Sequence, residues 1–135
     1  MRVFLDTNVL VSAFAARGLC AEVFELVLLD HDLIVGRNVL RELKKALLGK
    51  VRLPATRVAE IVDLVAGEAV KVVNNAKPAP ADADAADALV LGEALAGRAD
   101  LFVTGDADVQ RLDTLVTLKI VSPRQFWEVL RDQRP

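Results

Sequence analysis

Carboxylates are the side chains of this sequence that are best suited to chemistry, and several of them closely follow apolar segments. Asp6 comes directly after RVFL, and Asp106 and Asp108 come shortly after LFVT. His31 and Cys20 are the single residues of their types, so we expect no zinc site. Carboxylate oxygens without nitrogen or sulfur ligands select hard cations, Mg²⁺ or Mn²⁺. Such ions promote phosphodiester hydrolysis, which is the chemistry that this set of acids predicts.

Another acid is predicted to lie on the apolar stripe of a helix. In DALVLGEAL, Asp87 shares a helical face with Val90, Leu91 and Ala94, because residues three, four and seven apart lie on one side of a helix. A carboxylate on a core-facing stripe is costly unless it is paired or binds a metal. If the helix extends one more turn, Asp84 falls on the same stripe.

The remaining acids of interest have different predicted positions. Glu42 lies on a second predicted helix, about 40° beyond the edge of its apolar face, where the wall of a cleft would stand. Glu93 is predicted to point away from the apolar stripe of its helix into solvent, and Asp82 is assigned to the preceding linker.

Each acid also has an ordinary structural explanation. Asp6 is a candidate helix N-cap, and Asp106 with Asp108 is a candidate turn. Glu42 is also explained as a surface residue that pairs with Lys45, or with the nearby Lys44, on its own helix. A metal site differs from these structural roles in that it requires Asp6, Glu42, Asp87 and Asp106 to lie close together. Four acids brought together would raise one another's pKa values unless a cation lay among them.

The charges are distributed unevenly along the chain. The formal net charge is −2, yet residues 37–57 contain seven basic residues against one acid, and residues 82–108 contain seven acids against one basic residue. Each segment taken alone is compatible with an ordinary solvated face. The basic segment surrounds Glu42, so Arg41, Lys44 and Lys45 are predicted to hold a phosphate backbone beside the metal.

The apolar pattern predicts short strands that alternate with helices. This alternation is typical of a three-layer α/β domain in which helices cover both faces of a parallel sheet. The carboxyl ends of such strands carry the ligand sites. Strands are predicted at 2–5, 33–36, 69–73, 101–103 and 119–122; helices are predicted at 8–16, 21–30, 37–48, 54–67 and 84–96, from 106, and at 123–132.

The length of the chain and its lack of long apolar runs limit the number of domains and the cellular locations that are expected. The 135 residues are predicted to form one domain, 1–135. No apolar run approaches the roughly 18–20 residues of a membrane span, and the N-terminal MRVFLDTN has no signal-peptide pattern. The lone Cys20 cannot form an intrachain disulfide. We therefore expect a soluble, cytoplasmic protein with no membrane partner.

Several segments, taken together, resemble a known family. VFLDTNVLVSAF, VLRELKKAL, DALVLGEAL and ADLFVTGDADVQRL, followed by IVSPRQFWEVL, are similar to the PIN-domain ribonucleases, in particular to the VapC-like toxin components of toxin–antitoxin pairs. The similarity runs in order over nearly the whole chain, and LDTN and VTGD are its specific parts. It implies a five-stranded parallel sheet between helices, Mg²⁺- or Mn²⁺-dependent RNA cleavage, a homodimer or larger assembly, and inhibition by a small antitoxin.

The resemblance also implies roles for single residues. Asn8 matches the polar residue that supports the first aspartate, and Thr104 matches a polar residue that lines the pocket. Related sequences often carry a denser DPDD-like tract where this one has ADADAAD, so the choice between Asp84 and Asp87 as the ligand stays open. The implied metal-binding acids are Asp6, Glu42, Asp87 and Asp106, with Asp108 as a further candidate.

Two other function classes remain at this stage. A non-catalytic PIN-like module would keep the fold to bind RNA or a protein partner. A receiver-like domain would accept a phosphoryl group beside Mg²⁺, but it needs paired acids after the first strand and a lysine at the end of a late strand. Here only Asp6 follows the first strand, and Lys119 begins its strand instead of ending it.

Overall fold

The computed structural model describes residues 1–81, 83–114 and 116–133. Asp82, assigned above to the linker, lies outside the described residues. The strands are β1 (Arg2–Leu5), β2 (Asp32–Gly36), β3 (Lys71–Val73), β4 (Leu101–Val103) and β5 (Lys119–Val121). The helices are α1 (Thr7–Ala15), α2 (Leu19–Asp30), α3 (Arg37–Gly49), α4 (Ala55–Glu68), α5 (Ala85–Ala96), α6 (Ala107–Gln110), a 3-10 turn (Arg111–Thr114) and α7 (Pro123–Gln133).

The five strands form one parallel sheet in the order β3-β2-β1-β4-β5. Val3 in β1 pairs with Leu33 on one side and with Leu101 on the other. The strands β2 and β3 therefore follow one another on one side of β1, and β4 and β5 follow one another on the other side. Such a reversal opens a crevice at the carboxyl ends of the two strands. The predicted parallel sheet flanked by helices is confirmed.

The core lies along the central strands. Val3, Phe4 and Leu5 of β1 have no exposed surface. Phe4 stacks on Phe102 of β4, with ring centroids 5.3 Å apart. Continuous burial of consecutive strand residues is expected where helices cover both faces of a sheet. None of the helices in the described part of the chain is long and apolar enough to cross a membrane.

The element boundaries fall within about two residues of those predicted. The start of α5 matters most for the site. The helix begins at Ala85, and Asp84 is its N-cap, with Oδ1 accepting the N–H groups of Ala86 and Asp87. Asp84 thus precedes the first residue of the helix. The extra N-terminal turn that would have placed it on the apolar stripe does not form.

Candidate active site

Asp6 lies where β1 ends and α1 begins, at the crevice between β1 and β4. Only 8% of its surface is exposed. Its Oδ1 accepts the Thr7 N–H at 2.8 Å, and its Oδ2 accepts the Thr104 hydroxyl at 2.8 Å and Asn8 Nδ2 at 3.1 Å. Both carboxylate oxygens are therefore held in fixed directions. Asp6 serves as the helix N-cap and also faces the crevice.

Thr104 joins the ends of β1 and β4 through its hydroxyl. The residue is fully buried, and while its hydroxyl donates to Asp6 it accepts Asn8 Nδ2 at 3.2 Å and the Asp106 N–H at 3.0 Å. A hydroxyl has one donor and two acceptor lone pairs, so its capacity is fully used. Asn8 Oδ1 in turn accepts the Gly105 N–H at 2.9 Å. Asn8 and Thr104 together support Asp6 from two chain segments.

Glu42 reaches the crevice from α3. It is half-buried, and its Oε2 accepts the Thr7 hydroxyl at 2.6 Å. Thr7 was not singled out from the sequence, and its place next to Asp6 was the available signal for this contact. The alternative pairing with Lys45 or Lys44 is not observed, since no ion pair within the described residues involves Glu42.

The two remaining acids of the predicted set occupy helix starts. Asp87 is half-buried in the first turn of α5. Asp106 caps α6, with Oδ1 accepting the N–H groups of Asp108 at 2.8 Å and of Val109 at 3.4 Å. Because these capping bonds use one carboxylate oxygen, capping and metal binding are compatible. Asp108 is exposed and pairs with Arg111 at 3.2 Å, on the surface of the short helix.

One cavity of about 380 Å³ lies at this crevice, and four of the predicted acids line it together. They come from four different parts of the chain: the ends of β1 and β4 and the helices α3 and α5. Lys50 is the cation that shares the lining. The acids that line the cavity are Asp6, Glu42, Asp87 and Asp106.

The surroundings of Asp6 disfavour its charged form. Burial raises the pKa of the Asp6 carboxyl, and the hydrogen bonds from Thr104 and Thr7 offset part of that rise. The nearby charges of Glu42 and Asp87 raise the pKa of Asp6 further. A divalent cation among these groups would act in the opposite direction by favouring the ionised carboxylates.

Asp87 is shifted in the same direction. Burial is the largest cause that raises its pKa, and four neighbouring carboxylates add to it: Asp84, Asp106, Asp108 and Glu42. Mutual repulsion of this kind shows that the acids lie within electrostatic range of one another. The acids that line the cavity therefore influence one another's charge, while Asp6, Asp84 and Asp106 also serve as helix N-caps.

The arrangement stops short of a formed metal centre. Within the described residues, no group of three or more His, Cys, Asp or Glu side chains is placed so that it could hold a metal ion. The donor chemistry suits a hard cation, because the cavity offers carboxylate oxygens and neither imidazole nor thiolate. The acids share a cavity and repel one another electrostatically. To bind one cation together, some of their side chains would have to turn toward the centre of the cavity.

Comparison with known proteins identifies the family. The family model described as PIN domain matches residues 2–108. The chain belongs to the PIN domain family. Its structure is similar to a chain in the crystal structure of VapBC2 from Rickettsia felis bound to a DNA fragment from their promoter, with a TM-score of 0.64 and 15% identity over 90% of this chain and 98% of that chain. At this identity the similarity shows the fold. No curated protein matches the chain in sequence.

One cation lines the acid cavity of this PIN domain, and others lie nearby on α3. Lys45 and Lys50 line a neighbouring cavity together with Glu42. Lys50 belongs to the basic segment 37–57 but is not among the residues predicted to contact RNA. Lys44 and Arg41 are exposed on α3, and Arg41 donates to Asn38 Oδ1 at 3.2 Å.

The prediction that Glu93 is solvated is wrong. In this PIN domain 1% of its surface is exposed, and its Oε2 accepts the Asn38 N–H at 2.8 Å and Asn38 Nδ2 at 3.2 Å. Its carboxylate occupies the space beside Gly36 that any Cβ there would fill. The helical-face argument assumed one covered side, whereas α5 packs against β2 and β3 and also against α3. The apolar residues on both sides of Glu93 in LGEAL were the available signal.

Proposed function

We propose that this PIN domain is a divalent-metal-dependent endoribonuclease and the toxin of a toxin–antitoxin pair. One observation carries the proposal: four carboxylates from separate elements line one cavity at the point where the strand order reverses. Carboxylates that repel one another in a crevice suit a cation better than they suit helix capping alone. The proposed ligands are Asp6, Glu42, Asp87 and Asp106, with Asp108 and Asp84 at the edge of the group.

Mg²⁺ or Mn²⁺ is the proposed cofactor. Held by these carboxylates, such an ion would supply an activated water and would offset charge on the attacking and leaving oxygens. Asp6 is the fixed member of the site, since three hydrogen bonds orient its two oxygens. Asp87 is half-buried and Asp106 is exposed, so their side chains have room to turn toward the cation.

The chain's cations are proposed to bind the substrate. Lys45 and Lys50 stand beside Glu42, where an RNA phosphate would enter the cavity. Arg41 and Lys44 extend the positive surface along α3. Phosphate contacts position a nucleic acid without reading its sequence, so these residues hold the strand in place beside the acids. This local surface explains how a protein of net charge −2 could bind a polyanion.

If the chain is a toxin, it also has protein partners. The solved relative with the same fold belongs to VapBC2 bound to a promoter DNA fragment. For the present chain we propose a small antitoxin that covers the acid cavity, a homodimer or larger assembly, and a cytoplasmic location. The whole of residues 1–135 is proposed to act as one domain. A receiver-like function finds no support, since the chain belongs to another family and Lys119 begins β5.

Metal-dependent cleavage of RNA is the test of this function. Purified protein is incubated with total RNA in Mn²⁺, Mg²⁺ or excess EDTA, and the fragments are resolved by electrophoresis. We expect cutting with either ion, none in EDTA, and loss of cutting in Asp87→Asn, because the substitution removes a charge from the cation's surroundings. Asp63→Asn, the same change at an exposed position on α4, is the matched control and should cut normally.

A measurement of RNA binding by the same protein, with and without divalent metal, separates the non-catalytic alternative. RNA that binds equally well with and without divalent metal, and that is never cut, would assign the chain to a binding module. Full activity of Asp87→Asn would remove this residue from the proposed metal site.

Metal affinity is expected to fall as the pH falls. The raised pKa values of Asp6 and Asp87 mean that these groups keep protons to a higher pH than ordinary carboxyls, and a cation must displace those protons. The dissociation constant for Mn²⁺ should rise as the pH is lowered from neutral through the range of these raised pKa values, with a limiting slope of about tenfold per pH unit for each displaced proton. Titration by electron paramagnetic resonance measures it. Equal affinity across that range would contradict the expectation.

A further inference from the structure

A groove on the helical surface lies apart from the acid cavity. Helices α2 and α7 form its walls, and its volume is about 350 Å³. Within the described residues, none of the side chains that line this groove also lines the acid cavity. We call this surface the α2–α7 groove. The residues that line it are Glu22, Glu25, Leu26 and Leu29 of α2 and Trp127 and Arg131 of α7.

Apolar side chains contribute to both walls of the α2–α7 groove. Leu26 and Trp127 are half-buried and pack against the core. Leu29 is 75% exposed, which is the largest exposed fraction among the large hydrophobic side chains of the described chain. Exposed apolar surface beside a recess is typical of a protein contact. A protruding leucine next to an apolar groove is complementary to a second copy of the same surface, because Leu29 of one copy can enter the groove of the other.

The charges of the groove are divided between its two walls. Glu22 and Glu25 lie on one face of α2, because they are three residues apart, and neither forms an ion pair within the described residues. Arg131 lies on α7, where its guanidinium carbon stands 4.9 Å from the centroid of the Trp127 ring and its Nε lies 3.9 Å from the exposed Asp132 carboxylate. Both contacts of Arg131 are with its own helix. The acidic wall is therefore left without a cation from its own chain.

We propose that the α2–α7 groove is the contact surface between two copies of this chain, related by a two-fold axis that sets α2 of each copy against α7 of the other. The inference gives the homodimer proposed above a specific interface. This arrangement places the acidic wall of each copy against Arg131 of the other, so the favourable contact occurs twice. A two-fold axis that sets α2 against α2 would instead bring the acids together. The basic helix α3 of a second copy could also meet the acidic wall, but that contact is head-to-tail and leads to open chains.

The oligomeric state of the full chain tests the interface. Sedimentation velocity is measured from about 1 µM to about 200 µM, because a dimer of this kind dissociates on dilution. We expect a monomer–dimer equilibrium for the wild type. Leu29→Glu should be a monomer throughout, since the substitution sets a charge against the apolar groove of the other copy. The exposed position of Leu29 means that the fold should persist, and circular dichroism checks this.

The same substitution at another exposed leucine is the matched control. Leu64 lies on α4, is 45% exposed and is not part of the lining of the α2–α7 groove. Leu64→Glu should therefore form the dimer as the wild type does. A monomeric Leu64→Glu together with a dimeric Leu29→Glu would place the contact on another face of the molecule and overturn the proposed interface.

An exchange of charges tests the two-fold arrangement itself. Glu25→Arg and Arg131→Glu each set like charges against one another in their own homodimer, so each dissociation constant should rise at least about tenfold. An equimolar mixture of the two variants should dimerise as tightly as the wild type, because both contacts of the mixed dimer then join opposite charges. Sedimentation of each variant alone and of the mixture measures this. A mixture that stays monomeric, or two variants that each dimerise as tightly as the wild type, would overturn the arrangement.

The outcomes separate the interface from the proposed function, since the sedimentation experiments need neither RNA nor metal. A wild-type chain that is still monomeric at about 200 µM overturns the interface and leaves the nuclease function standing. Particles that grow beyond a dimer as the concentration rises would indicate the head-to-tail contact and would overturn it as well. If the dimer forms as expected but no RNA is cut in Mn²⁺, the nuclease function fails and the interface stands.

Discussion

Asp6→Asn is expected to slow RNA cleavage by about 10³-fold or more, since metal-ion stabilisation of the reaction amounts to several kcal/mol. Asp6 is the most constrained member of the acid cavity, with both oxygens oriented by hydrogen bonds. An amide has nearly the same shape but no charge, so the substitution weakens cation binding at the point where the site is most rigid. The measurement is the initial rate of cutting of a short RNA in saturating Mn²⁺.

The fold of Asp6→Asn is expected to persist. The amide oxygen can still accept the Thr7 N–H, but an amide nitrogen in place of Oδ2 cannot accept the Thr104 hydroxyl or Asn8 Nδ2, and both lone pairs of the Thr104 hydroxyl are already in use. We expect the free energy of unfolding to fall by about 1–3 kcal/mol, which leaves the protein folded. Asp63→Asn again serves as the control. Wild-type rates from a folded Asp6→Asn protein would eliminate the proposed mechanism.

Glu93→Ala is expected to lower the free energy of unfolding by about 3 kcal/mol, an amount typical of an orphaned buried donor combined with a cavity. The side chain joins α5 to the first turn of α3 through the Asn38 N–H, which would lose its acceptor. It also fills the space beside Gly36. Urea denaturation followed by circular dichroism measures the change. A loss below about 1 kcal/mol would mean that the contact contributes little to stability.

Glu93→Gln is expected to behave differently, because it retains an acceptor and removes the charge. Burial raises the pKa of the folded Glu93 carboxyl, and the hydrogen bonds from Asn38 and Val39 offset only part of this rise. Glu93 Oε1 has no hydrogen-bond partner within the described residues, which agrees with a carboxyl that holds its proton tightly. A neutral amide should therefore be tolerated at this position.

The two proteins should diverge as the pH rises. A group whose folded pKa exceeds its unfolded pKa contributes stability below the unfolded value and loses that contribution as the pH passes the folded value. Wild type should thus become less stable relative to Glu93→Gln between about pH 4 and the raised folded pKa, and the difference should then level off. Unfolding midpoints in urea at several pH values give this difference directly. A difference that does not vary with pH would contradict the assigned cause.

Local sequence patterns determined the secondary structure and the positions of the acids along it. RVFL and LFV are buried strands because their apolar residues are consecutive, and the chain leaves each strand at a residue suited to a helix cap or turn. Parallel strands place their carboxyl ends at one edge of the sheet, so Asp6 and Asp106 were predictable as neighbours. The stripe of Val90, Leu91 and Ala94 likewise placed Asp87 on the inner face of α5.

Tertiary packing decided the contacts between residues far apart in the chain. The hydrogen bond from Thr7 to Glu42, the position of Lys50 beside the acids and the burial of Glu93 depend on how α1, α3 and α5 pack around the sheet. A helical-face pattern reports how many apolar residues share one side of a helix, but it does not report whether a second helix covers another side. Glu93 was therefore predicted to be solvated, although its partner Asn38 lies 55 positions earlier in the chain.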